Sequence, residues 1–243
     1  MIQADKTKQV LELCAYLLIL SRGMLFVISL YCRKNYHLDK AMKVLFYVTL
    51  IGFVIAIGEI LFIYLVKHYT TFFLPYLQKY EIDDTFFISP FYYLNEILFY
   101  GLAYSYSLGN KYTRPIQIVT FVLFIAEIIN TIWLEGYKDS QPVGSFIFSS
   151  YNIALSFFYL KNFYAKNLRS NSTKDGILII SWGILLQSVL SIFIYILSKN
   201  IFNDDVILYY KISIFRMVIE SLCFVVMAYG VWLSRNRGLK VST

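Results

Sequence analysis

Residues 44–66 read VLFYVTLIGFVIAIGEILFIYLV, an unbroken apolar run with one charged side chain, Glu59. At 1.5 Å per residue a helix of this length covers ~34 Å, enough to cross a hydrocarbon core of about 30 Å. Six further stretches, near 10–31, 86–108, 115–134, 143–165, 176–198 and 208–232, have similar length and character. The pattern predicts an all-α polytopic membrane protein of seven transmembrane helices, with residues 1–243 forming one membrane domain joined by short loops. Composition agrees. The chain is 58% hydrophobic and 15% charged with a mean hydropathy of +0.60, whereas soluble domains average about 25% charged residues.

The net charge of +7 is organised by topology. Lys and Arg collect in alternate gaps: Arg33, Lys34, Lys40 and Lys43; Lys111 and Arg114; Lys161, Lys166, Arg169 and Lys174; then Arg235, Arg237 and Lys240. The opposite side holds only Lys6, Lys8, Lys67, Lys79, Lys138 and Lys199. Basic short loops stay cytoplasmic, so the N-terminus is expected outside and the C-terminus inside. Acidic residues Asp83, Asp84, Asp139, Asp204 and Asp205 fall on the outer side. This distribution argues for contact with the lipid bilayer and against nucleic acid, which needs a contiguous basic face. The first apolar run is too long for a cleavable leader, and no small-residue cleavage site follows it. Cys14, Cys32 and Cys223 do not suggest a disulfide framework.

Ionisable and amide side chains inside these runs are the functional clue, because charge at the bilayer centre costs at least about 2.5 kcal/mol. Helical spacing sorts them into stripes. Tyr92, Glu96 and Tyr100 share one face of the third run, and Tyr209, Ser213, Arg216, Glu220 and Cys223 one face of the seventh. Ser145, Ser149, Asn152 and Ser156 align on the fifth, Glu127, Asn130 and Thr131 on the fourth, and Ser188, Ser191 and Tyr195 on the sixth beside Gln187. Gly52, Ala56 and Glu59 share a face whose small residues permit close helix packing. The candidate ligand- or proton-binding residues are Glu59, Glu96, Glu127, Asn130, Asn152, Gln187, Arg216 and Glu220, expected to face an acidic cavity in the outer half. Arg22 either snorkels or ties the first helix to a glutamate. The sizeable gap after the second run, carrying Tyr76, Tyr80 and Phe86, is expected to cover the outer mouth.

Weak internal likeness suggests a parallel three-plus-one-plus-three repeat. Leu61–Lys67 resembles Ile192–Lys199, and the third and seventh runs each carry a central Glu followed by Ala-Tyr, at Ala103-Tyr104 and Ala228-Tyr229. No HExxH, GxSxG or phosphate-binding loop occurs, both histidines (His37, His68) lie near membrane surfaces, and Lys211 sits too close to a helix end for a retinal lysine. These observations point away from an enzyme, a metal site or a bound cofactor.

Three segments carry a family resemblance: IGEILFIY at 57–64, FYYLNEILFYGLAYS at 91–105 and GILIISWGILL at 176–186. The chain resembles a group of small seven-helix membrane proteins of Bacteroidota. The resemblance implies a multi-pass protein of the bacterial inner membrane with a recurring acidic residue on the second and third helices. It implies no catalytic residue. The residues themselves lead to three functional expectations. The first is a sensor or receptor-like module that binds a small polar or cationic ligand and signals to a separate cytoplasmic or membrane partner. The second is a small secondary or proton-coupled transporter, and the third is an accessory subunit of a membrane complex.

Overall fold

The structure is a computed structural model that describes residues 2–82, 85–136, 141–167 and 175–235. Asp83, Asp84, Lys138, Asp139, Arg169, Lys174, Arg237 and Lys240, all used for the orientation, lie outside the described residues, as do the side chains of Phe86, Lys166, Tyr195, Lys199 and Asp204. Eight α-helices occur among the described residues: α1 (Ile2–Asn35), α2 (Lys40–His68), α3 (Thr70–Tyr80), α4 (Ser89–Ser107), α5 (Asn110–Ile129), α6 (Pro142–Asn167), α7 (Gly176–Asp204) and α8 (Val206–Ser234). A 3₁₀ turn at Thr85–Ile88 leads into α4, and a π-helical turn at Asn130–Leu134 extends α5. Local chemistry sets several boundaries. Asp39 accepts from Met42 N at 2.8 Å and Asp205 from Ile207 N and Leu208 N at 2.9 and 3.0 Å, satisfying amides that a helix start leaves free. Gly109, at φ +90°, makes the tight turn from α4 to α5.

Six helices are long and apolar enough to cross a membrane: α1, α2, α5, α6, α7 and α8. The third expected span is α4, which has only 19 residues and is not among them. The reason is its position. Pro90, Tyr93, Asn95, Ile97, Tyr100, Gly101, Ala103, Tyr104 and Ser105 of α4 are buried against protein, so α4 need not be apolar on every side as a lipid-facing helix must. In α2 and α5, by contrast, only 17% of the most apolar window is buried inside the protein. Their outer faces carry Val54, Ile57, Ile118 and Val122, all exposed. Such continuous apolar surface suits a hydrocarbon solvent.

The helices close a ring. Neighbouring pairs are α1–α2, α2–α4, α4–α6, α6–α7, α7–α8 and α8–α1, while α5 lies outside against α4 and also meets α6, through its own side chains and its π turn. Close-packed small residues draw α7 and α8 together: a Cβ on Gly230 would lie 2.7 Å from the Gly176 carbonyl oxygen, and one on Gly183 would lie 2.7 Å from Met227 Cγ. One end of the bundle gathers Cys32 against Val231, Ser234 against Met42 and Thr113 against Ser105. The opposite end gathers Glu59 with Thr85 and Glu127 with Gly144. The gap after the second span does not form a cover over the ring. It folds as α3, which contributes no buried residue and packs on the end of α2.

Candidate functional site

Arg22 of α1 organises the interior. Its guanidinium carbon lies 4.5 Å from the ring centroid of Tyr92 on α4 and 5.0 Å from that of Phe224 on α8. Each such contact contributes about 0.5–2 kcal/mol, more as water is excluded. The residue therefore points into the ring rather than snorkelling. The Tyr92 hydroxyl donates to Glu59 Oε2 at 3.2 Å, and Thr85 Oγ1 donates to Glu59 Oε1 at 3.0 Å. Glu59 is thereby engaged at both oxygens and ties α2 to the start of α4.

Glu96 sits one turn below Tyr92 on the same face of α4. Asn152 Nδ2 donates to its Oε2 at 3.4 Å, and Arg22 and Glu220 are the charges that act on it. Arg216 Nε lies 3.6 Å from Glu220 Oε1, the i,i+4 pair expected on α8. The core thus sets the guanidiniums of Arg22 and Arg216 against the carboxylates of Glu59, Glu96 and Glu220, one negative charge in excess. A cavity of about 30 Å³ adjoins Arg22, Gly52, Tyr92, Asn95, Glu96 and Tyr100. One water needs roughly 10–15 Å³ by the same measure, so this space takes a water or two and no organic molecule.

A polar stripe on α6 runs past this point. Ser145, Ser149, Asn152 and Ser156 are fully buried, at 0% exposure, and Tyr159 follows at 7%. From Ser145 to Tyr159 the stripe covers ~21 Å, about two thirds of a hydrocarbon core. Beyond Asn152 it is hydrogen-bonded across helices: Tyr104 OH meets Ser156 Oγ at 3.0 Å and donates to Ser181 Oγ at 2.9 Å, and Tyr159 OH donates to Asp175 Oδ2 at 3.2 Å. On the other side of Asn152, the hydroxyls of Ser145 and Ser149 and Asn152 Oδ1 have no protein partner. Leaving such groups unsatisfied costs about 1–3 kcal/mol each.

The structure thus brings Glu59, Glu96, Asn152, Arg216 and Glu220 to one interior, though not into one acidic cavity. Glu127 and Asn130 lie elsewhere, between α5 and α6: the Glu127 carboxylate rests on Gly144, and Asn130 Nδ2 donates to Glu135 Oε2 at 2.8 Å. Gln187 is buried on α7, where its main-chain oxygen accepts from Ser191 Oγ at 2.9 Å. No hydrogen bond joins its side chain to the charged core among the described residues. Sequence spacing missed Tyr104, Ser181, Asp175 and Gln141. Only the successive four-residue steps from Glu96 to Tyr100 to Tyr104 offered a signal for the first of these. Among the described residues no three His, Cys, Asp or Glu side chains converge as a metal-binding group.

Comparison of the chain with protein-family models, curated proteins and solved structures yields no match.

Proposed function

We infer that this is a small secondary transporter in which Glu96 takes up and releases the transported proton. The observation that carries the reading is the excess carboxylate at Glu96, beside Arg22 and a cavity sized for water. In a low-dielectric interior one unmatched charge is costly, and a proton on Glu96 removes it. Arg22 stands beside Glu96 as the counter-charge of the bare carboxylate. The α6 stripe supplies hydroxyls on both sides of Asn152 through which a proton, relayed by water, reaches the carboxylate.

The same reading places the protein in the bacterial inner membrane as a multi-pass, seven-span domain, with α4 as an internal crossing and the N-terminus outside. The ring order supports a parallel repeat, since α1–α2–α4 and α6–α7–α8 each occupy consecutive places and α4 and α8, which carry Glu96 and Glu220, face one another across it. Reporter fusions at Thr243 and in the Asp83–Asp84 loop test the orientation. An active cytoplasmic reporter at Thr243 is expected, and activity there only outside overturns it.

Purified protein in liposomes carrying a pH-sensitive dye tests the carrier reading. A potassium diffusion potential should drive proton uptake through the native protein and not through Glu96→Gln. A sensor that signals to a separate partner, or an accessory subunit, uses the same carboxylate without flux. The cavity volume disfavours an organic cation as the occupant of this site.

A further inference from the structure

We propose that the junction of α5 and α6 holds a second site, which binds a monovalent alkali cation of the sodium class through side-chain oxygens. Glu127 is the anchor. It is 0% exposed, and neither carboxylate oxygen has a hydrogen-bond partner. A Cβ on Gly144 would lie 2.5 Å from Glu127 Oε1, so the carboxylate packs directly against the glycine and would have to shift to admit a side chain there. Antiparallel register explains the pairing. Thr120 and Glu127 on α5 are seven residues apart, as are Tyr151 and Gly144 on α6, and Thr120 Oγ1 meets Tyr151 OH at 2.7 Å.

A second observation is independent of the carboxylate. Asn130 is 2% exposed and carries an unpartnered Oδ1, and Thr131 Oγ1 is likewise buried without a partner. Both side chains lie within reach of the Glu127 carboxylate. Asn130 opens the π-helical turn, a distortion that recurs where helices build functional sites. Gln141 Oε1, just before the facing end of α6, is also buried and unpartnered. Glu135 is not available as a ligand in the same way. Its oxygens cap α6 through Val143 N at 2.8 Å and Gly144 N at 3.0 Å and accept from Asn130 Nδ2.

The donor set defines the ion. With Glu135 engaged in capping α6, Glu127 supplies the ligating carboxylate beside the second negative charge of Glu135, and the surrounding amide and hydroxyl oxygens include no imidazole or thiolate, which excludes the softer transition metals. The site lies on the flank of α6 away from Asn152 and Glu96, so it stands or falls apart from the proton reading.

Thermal unfolding of the detergent-solubilised full chain in sodium, potassium or choline chloride at equal ionic strength tests this. A saturable rise in Tm of about 5 °C or more in sodium over choline is expected. Glu127→Gln and, separately, Asn130→Ala should each lose the difference. Equal Tm in all three salts overturns the proposal, as does a sodium effect that survives in both variants. A Tm that follows pH and ignores the cation assigns Glu127 a proton instead, and also overturns it. Should Glu127→Gln fail to fold, the native salt series and Asn130→Ala decide the matter alone.

Discussion

The Asn152 amide donates to the Glu96 carboxylate at 3.4 Å, and this contact ties α6 to α4 where the α6 stripe passes the cavity. Asn152 is fully buried and Glu96 lines the cavity, so the bond holds the carboxylate in the interior by a neutral donor. A hydrogen bond to a charged group contributes about 1.5–3 kcal/mol. Asn152→Leu keeps the branched shape with a somewhat larger volume but removes the donor. Proton flux should fall roughly tenfold, since about 1.4 kcal/mol corresponds to a factor of ten. Flux within twofold of native would show that Asn152 only packs.

Arg22 is sandwiched between the rings of Tyr92 and Phe224. Replacing it by Gln removes both ring contacts and leaves the three carboxylates facing Arg216 alone. The expected loss is about 2 kcal/mol or more, a Tm decrease of roughly 5 °C. Arg22→Lys should recover only part of the Tm, because a compact ammonium cannot lie flat against two rings. Full recovery by lysine would reduce the role of Arg22 to charge alone.

Gly230 is required by the approach of two backbones. A Cβ there would meet the Gly176 carbonyl oxygen at 2.7 Å and Ile180 Cγ1 at 2.8 Å, and backbone cannot rotate away. Gly230→Ala should destabilise by about 1–3 kcal/mol through overpacking. Gly58, around which nothing lies within 4 Å, gives the matching control: Gly58→Ala should leave Tm unchanged or slightly raised. Equal behaviour of the two variants in thermal unfolding would contradict the α7–α8 contact.

Tyr104 links α6 to α7 by joining Ser156 and Ser181. Tyr104→Phe deletes the hydroxyl and keeps the ring. Interhelical hydrogen bonds in membranes contribute about 0.6–2 kcal/mol, so the Tm should shift by only a few degrees while flux drops severalfold if the stripe conducts protons. Ser191→Ala, which removes only a local bond to the Gln187 carbonyl oxygen, should change neither quantity.

The sequence made the helical architecture and the internal stripes readable because both depend on local periodicity. Arg216 and Glu220, four residues apart, pair as their spacing indicates, and the stripe from Ser145 to Ser156 is buried along its length. What could not be read was which helix faces which. Arg22 of α1 takes its ring contacts from Tyr92 on α4 and Phe224 on α8, far away in the chain. Glu59 takes its partners from Thr85 and Tyr92, so an apparent ligand carboxylate is engaged in holding two helices together. Of the seven expected spans α4 is the one that apolarity marks least clearly, because a helix shielded by its neighbours can carry Asn95, Glu96 and several tyrosines. Glu127 shared the chemistry of the other glutamates in the sequence. Only the position of α5 outside the ring separates it from them.

Proton uptake into liposomes under an imposed potential, compared between the native chain and Glu96→Gln at matched Tm and matched protein density, tests the central claim most directly. Gln keeps the shape and a hydrogen-bonding carbonyl for Asn152 but cannot titrate. Native flux with a loss of at least about tenfold in Glu96→Gln is the predicted result. Equal flux through both proteins, or none through the native protein, would contradict the assignment of Glu96 as the proton carrier.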